Sequence, residues 1–249
     1  STIFDQALMR AFVHDDSRGA QLNSDDQAAA QSLYKLTSGG LPAAPTNLAA
    51  SPFSTTQINL TWTDNASNET EFRIEVKMLG GSYLDVGSVG ANSTGASVVN
   101  LTPETGYAFR VRAKNATGNS GYSNEVIAAT NAVIGACLAN GQTVCLSGGR
   151  FRVRVLWKPT AGVQSLANVA PAGSDSSGLF YFLDPANWEL LIKVLNACGL
   201  NSRYWVFYAA TTNVELVTTV TDTLNGSVKV YFNPLDTPAP PIQDTSAFA

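Results

Sequence analysis

The chain has 249 residues, 45% apolar and only 14% charged, with 19 acidic against 15 basic side chains. Such a length suits two ordinary domains, while a net charge of −4 provides no concentrated basic face for phosphates and excludes nucleic acid as an expected partner. With one histidine, His14, and three cysteines, a multi-histidine zinc site cannot be built, and no apolar run reaches the roughly 18 residues of a membrane span. No basic-then-apolar leader opens the chain, so any signal peptide is expected to be absent from this form. The composition points away from catalysis and toward no cofactor.

In chain order, residues 1–41 read as a helical segment and linker. Phe4, Leu8 and Phe12 recur at i, i+4 and i+8, lining one helix face. Ser24 is a candidate N-cap with Asp25 and Asp26 in the first turn, and Gly39-Gly40 ends the helix. From Thr46 the helical period vanishes. Ile58, Leu60 and Trp62 alternate inward, as do Phe72, Ile74 and Val76, and then Tyr107, Phe109 and Val111, each run bounded by turn-rich strings. After a linker at 131–136, a second β block covers 137–233. There Phe151, Val153, Val155 and Trp157 share one strand face while Arg150, Arg152 and Arg154 share the other. Further strands are expected at 179–183, 188–195, 203–209, 214–222 and 226–232, with a hairpin at Asn225-Gly226. Residues 234–249 begin with PLDTPAPP and read as a Pro-rich extended tail. The expected fold is mainly β: two β-sandwich (immunoglobulin-like) domains in tandem behind a short N-terminal helical segment.

Residues 42–130 resemble a fibronectin type III domain. The resemblance rests on PTNLAA at the entry, Trp62 in LTWT, and the spacing of Leu101, Pro103, Thr105 and Tyr107 in NLTPETGYAFRVRA. It implies that Trp62 plugs the core and that the Tyr107 hydroxyl returns to nearby backbone as a tyrosine corner. Residues 136–249 are similar to a C-terminal domain of secreted bacterial proteins, through CLANGQTVCLSGGRFRVRVLW, FYFLDPANWELLIKVLNACGLN and the terminal DTSAF. That similarity implies an extracellular or cell-surface bacterial setting. Residues 1–36 are similar to the end of matrixin-type zinc peptidases, with Met9 at the Met-turn position, but HExxHxxGxxH is absent and no catalytic role follows.

Cys137 and Cys145 are candidates for a disulfide closing a small loop, contributing about 2–3 kcal/mol; the alternative pairs one of them with Cys198. The third cysteine is then a buried free thiol or an intermolecular bond. The arginine row is an outward strand face whose expected partners are Glu189 or Glu215, with anion binding or a subunit interface as the other readings. Trp157, Tyr181, Trp188, Tyr204, Trp205, Tyr208 and Tyr231 are numerous for one sandwich; most are expected in the core, with sugar stacking or a protein interface open to the rest. Asn59, Asn65, Asn68, Asn92, Asn100, Asn115 and Asn225 head Asn-x-Ser/Thr sequons and are candidate glycosylation sites.

The sequence leads to a non-enzymatic extracellular structural protein that assembles with copies of itself through sheet edges and tails. Phe4, Leu8, Phe12, Arg150, Arg152, Arg154, Ile242 and Phe248 are the candidate interface residues. The competing expectations are an accessory region of a secreted metallopeptidase, binding glycans or cell-surface polymers, and an adhesin.

Overall fold

The computed structural model describes residues 40–160 and 162–249. The expected helical segment, with Phe4, Leu8, Phe12 and His14, lies outside the described residues. The first domain contains β1 (Thr46–Pro52), β2 (Ile58–Thr63), β3 (Glu71–Met78), β4 (Leu84–Gly90), β5 (Gly95–Val98), β6 (Gly106–Lys114) and β7 (Val126–Ala129). These form two antiparallel sheets, β1-β2-β5 and β4-β3-β6-β7. The alternating side chains expected from the sequence close one core: Ile58, Leu60 and Trp62 meet Phe72, Ile74, Val76, Phe109 and Val111. Burying each such side chain contributes about 1.5–3 kcal/mol. Thr102 N–H donates to the Tyr107 hydroxyl at 2.9 Å, which ties the loop before β6 to its first turn of strand.

The second domain contains β8 (Val144–Leu146), β9 (Phe151–Lys158), β10 (Ser165–Leu166), β11 (Asn168–Ser174), β12 (Ser177–Tyr181), β13 (Leu190–Asn196), β14 (Tyr204–Ala210), β15 (Glu215–Asp222), β16 (Val228–Asn233) and β17 (Ile242–Phe248). Its near sheet has the order β10-β9-β15-β16, with β8 added to β9; its far sheet runs β11-β12-β13-β14-β17. Phe151, Val153, Val155, Leu216 and Val220 from the near sheet pack on Phe180, Leu190, Ile192, Val194 and Val206 from the far one. Gly226, at φ 75°, makes the β15–β16 hairpin, where its N–H donates to Asp222 O at 2.8 Å. Only a residue tolerant of positive φ sits easily there.

Two expectations need correction, one about the C-terminal residues and one about the arginine row. Residues 234–249 do not end as an extended tail: Ile242–Phe248 is a strand paired with β14, and Phe248 is buried with its ring 5.1 Å from that of Phe151. Phe248 therefore belongs to this chain's own core, while Ile242 is half-buried against it. Within the linker 131–136, Ala132 is buried and its N–H donates to Gly226 O at 2.8 Å. The arginine row finds other partners than Glu189 and Glu215. Arg150 grips the fully buried Asp222 at 2.7 Å, and Arg152 and Arg154 reach back to Glu104 of the first domain at 2.7 and 3.8 Å.

Those last contacts belong to a joint between the domains. Leu79 and Ala108 pack on Val217, with Tyr83, Leu156, Val230 and Phe232 around them. Glu104 also accepts a short hydrogen bond from the Thr221 hydroxyl. Gly106 leaves room for the Leu79 and Val230 side chains at this joint, since a Cβ there would lie 2.7 Å from Leu79 Cδ1 and 3.0 Å from Val230 Cγ1. Leu156, Val217 and Val230 alternate with core residues along β9, β15 and β16, so the first domain stands on the outward face of the near sheet.

Candidate functional site

β15 is buried along almost its whole length because one face meets its own core and the other meets the first domain. β13 and β14 carry the same sequence signature, apolar residues at both parities, in LLIKVL and YWVFYAA. A strand that is apolar on both faces is normally covered on both. In the far sheet one face is the core, and among the described residues nothing covers the other.

The strand register assembles this outer face row by row. Leu179 lies opposite Leu191, which lies opposite Ala209; Lys193 lies between Ser177 and Phe207; Leu195 lies opposite Trp205. Leu191 is 37% exposed, and the Trp205 and Phe207 rings meet edge-on with centroids 6.1 Å apart. Trp205 is fixed by donating its indole N–H to Asn201 Oδ1 at 3.0 Å, and Asn201 Nδ2 donates to Thr245 O of β17 at 3.0 Å. A shallow groove of about 380 Å³ runs over this surface between Leu191, Leu195, Phe207, Pro241 and Ile242, with Lys193 on its floor. Just before β13, Trp188 is 52% exposed, and burial pushes the neighbouring Glu189 carboxyl up against the opposing hydrogen bond from Asn187. Lys193 makes no ion pair among the described residues. The surface combines aliphatic rows, two fixed aromatic rings and one cation, which suits an amphipathic protein segment.

A second cluster, on the outward face of β3 and β6, pairs its charges among its own members. Glu75 accepts from Arg110 at 2.6 Å and from Tyr122 at 2.8 Å, and pairs with Arg112 at 3.0 Å. Burial pushes its carboxyl up, yet the Arg110 and Tyr122 hydrogen bonds outweigh that and hold it below the usual carboxylate range. Arg110 is sandwiched between Tyr83 and Tyr122, 3.8 and 3.7 Å from their ring centroids. Its charges and rings are committed to one another, which is the pattern of a structural network.

Cys137 and Cys145 are joined in a disulfide, with Cα atoms 5.8 Å apart. Cys198 is a free thiol, and it is exposed where a buried one was expected. Trp62, Leu101 and Tyr107 lie in or against the first core, while Pro103 is exposed in the turn before β6. Of the aromatic residues, Tyr204, Tyr208, Trp157 and Tyr231 face the second core, whereas Trp205 and Trp188 do not. The sequons divide by use of their amides. Asn65 Nδ2 donates to Ala44 O, Asn68 and Asn115 donate to Gly40 O, and Asn115 is buried as well. A glycan at any of these three takes one of the two hydrogens of an Nδ2 that is already a donor. Asn59 and Asn225 use only their carbonyl oxygens, as acceptors from Gln57 and Ser97 and from Ser227. Asn92 and Asn100 are exposed at φ 60°.

Leu179, Leu191, Lys193, Leu195 and Phe207 were not among the sequence candidates. The signal that marks them is the double-parity apolar run in β13 and β14, which alternation alone assigns to the core.

Residues 43–129 match the fibronectin type III domain. Chitinase A1 of Niallia circulans is 36% identical over 94 residues, which is 37% of this chain and 12% of that protein. The chain thus spans about an eighth of that relative's length. Among solved structures, domains A168–A170 of titin align at 32% identity and a TM-score of 0.33, over 36% of this chain and 32% of that one. The FN5 domain of Drosophila Lar aligns at 22% identity and a TM-score of 0.32, over 36% and 97%. The FN3 domain of human collagen XX aligns at 23% identity and a TM-score of 0.32, over 37% and 100%.

Proposed function

We propose that this is a non-enzymatic extracellular structural protein that assembles with copies of itself, and that the outer face of the far sheet is its contact surface. The observation that carries the reading is the uncovered apolar face of β12, β13 and β14, built to the same pattern as the near-sheet face that the first domain covers. Contiguous apolar patches of this kind mark interaction surfaces on soluble proteins. The Cys137–Cys145 disulfide supports an oxidising compartment. Sedimentation velocity of the full chain over a range of concentrations tests the reading. Association is expected to strengthen with concentration and to weaken at least tenfold in a Leu191→Lys/Phe207→Lys variant, which places two charges in the contact. Equal association of variant and wild type contradicts it.

The relationship to a segment of Chitinase A1 favours a second reading, an accessory region of a secreted enzyme that binds polysaccharide. Retention of the monomeric full chain on insoluble chitin, lost in the same variant, supports that reading over assembly.

A further inference from the structure

The apolar face and the exit of the N-terminal segment lie at opposite ends of the molecule. Gly40, the first described residue, has its carbonyl held by Asn68 Nδ2 and Asn115 Nδ2, each at 3.1 Å. These lie beyond the Glu71–Lys114 end of the β3–β6 ladder. The joint to the second domain is at the other end of that ladder, by Met78 and Tyr107. β3 alone separates the two ends by about 23 Å at about 3.3 Å per residue. Beyond the joint comes the near sheet, then the core, then the far sheet about 10 Å further on, and its apolar face is turned away from the joint.

We infer that residues 1–36 of one copy lay the Phe4–Leu8–Phe12 row on the outer face of the far sheet of the next, joining molecules head to tail; this rests on the assembly reading above. The row and the face complement each other in kind. An apolar stripe three side chains long meets Leu191, Leu195 and Phe207, while Asp5, Asp15, Asp16, Asp25 and Asp26 outnumber Arg10, Arg18 and Lys35 in residues 1–36 and bring negative charge toward Lys193. The chain's own segment is poorly placed to reach its own face. Folding back requires it to run from the Gly40 end along both domains. A neighbour's face demands no such extension. Donor and acceptor are different surfaces at opposite ends, so each docking event leaves one of each free and the assembly stays open.

The test mixes two full-length variants. One carries Phe4→Glu/Leu8→Glu/Phe12→Glu and keeps its sheet face; the other carries Leu191→Glu/Phe207→Glu and keeps its N-terminal row. Each alone is expected to sediment as a monomer at concentrations where the wild type assembles, and their equimolar mixture as a 1:1 dimer and nothing larger. Circular dichroism and melting matched to wild type establish that both are folded; Leu191→Ser/Phe207→Ser replaces the second if it is not. Assembly of the N-terminal variant alone overturns the docking inference and leaves the assembly reading standing. So does a mixture without dimer while the wild type assembles. A wild type that is monomeric at every concentration overturns both.

Discussion

Tyr107 shows how one side chain fixes the entry to a strand. Its ring is buried beside Phe109, while its hydroxyl accepts the Thr102 N–H. Replacing Tyr107 with Phe keeps the packing and leaves that N–H without its protein partner, at a cost of about 1 kcal/mol. Thermal unfolding should show the loss as a midpoint lowered by about 4–8 °C, and an unchanged midpoint contradicts the assignment. Glu104 works differently. It lies at φ 51°, a backbone conformation that ordinary residues rarely adopt, and it gathers Arg152, Arg154 and Thr221 across the joint. Alternation along the strand was enough to place Arg152 and Arg154 on an outward face. Their partner was not legible, because Glu104 sits 48 residues before Arg152 and meets it only when the two domains dock.

At the scale of elements, β17 matters most. It pairs with β14 through Tyr208–Ile242, Phe207–Gln243 and Val206–Asp244, and Tyr231 donates to Asp244 at 2.9 Å. Deleting residues 242–249 exposes the edge of β14 and removes Phe248 from the core. It also takes the Ala249 carbonyl from Arg150. Loss of an aromatic core side chain alone costs about 3–5 kcal/mol, so the truncated chain is expected to lose the cooperative unfolding of its second domain, measured by circular dichroism on heating. A truncated chain that stays folded and merely stops assembling contradicts this and restores the tail as a contact between copies.

The strands that the sequence revealed are β2, β3, β6 and β9, through clean alternation, and β12 to β16, through apolar runs between turn signals. β4 was not legible because it is an exposed edge strand with glycines at 87 and 90. β11 was masked by Pro171, which its edge position tolerates, and by the register shift between Val169 and Gly173. β17 was hidden behind prolines, and its apolar residues are few until Ala247 and Phe248. The core residues of β13 and β14 could be read in the sequence. Their outer face could not, because a doubly apolar strand looks the same whether its second face is covered by its own chain or by another.

Taken whole, the molecule is two β domains locked by a small apolar cluster and the Glu104 network, with an N-terminal exit at one end and an uncovered apolar sheet at the other. The side-chain packing at Gly106 and the hydrogen bond from Ala132 hold that relationship, so a chain of docked copies should repeat at a constant spacing. The fibronectin type III assignment was readable from Trp62 and Tyr107; the polarity of the molecule emerged only from which sheet face the first domain covers. Electron microscopy of the full chain at rising protein concentration tests the central claim most directly. Unbranched fibres with one molecule per axial repeat are the expected result, and monomers at every concentration, or closed symmetric dimers, contradict it.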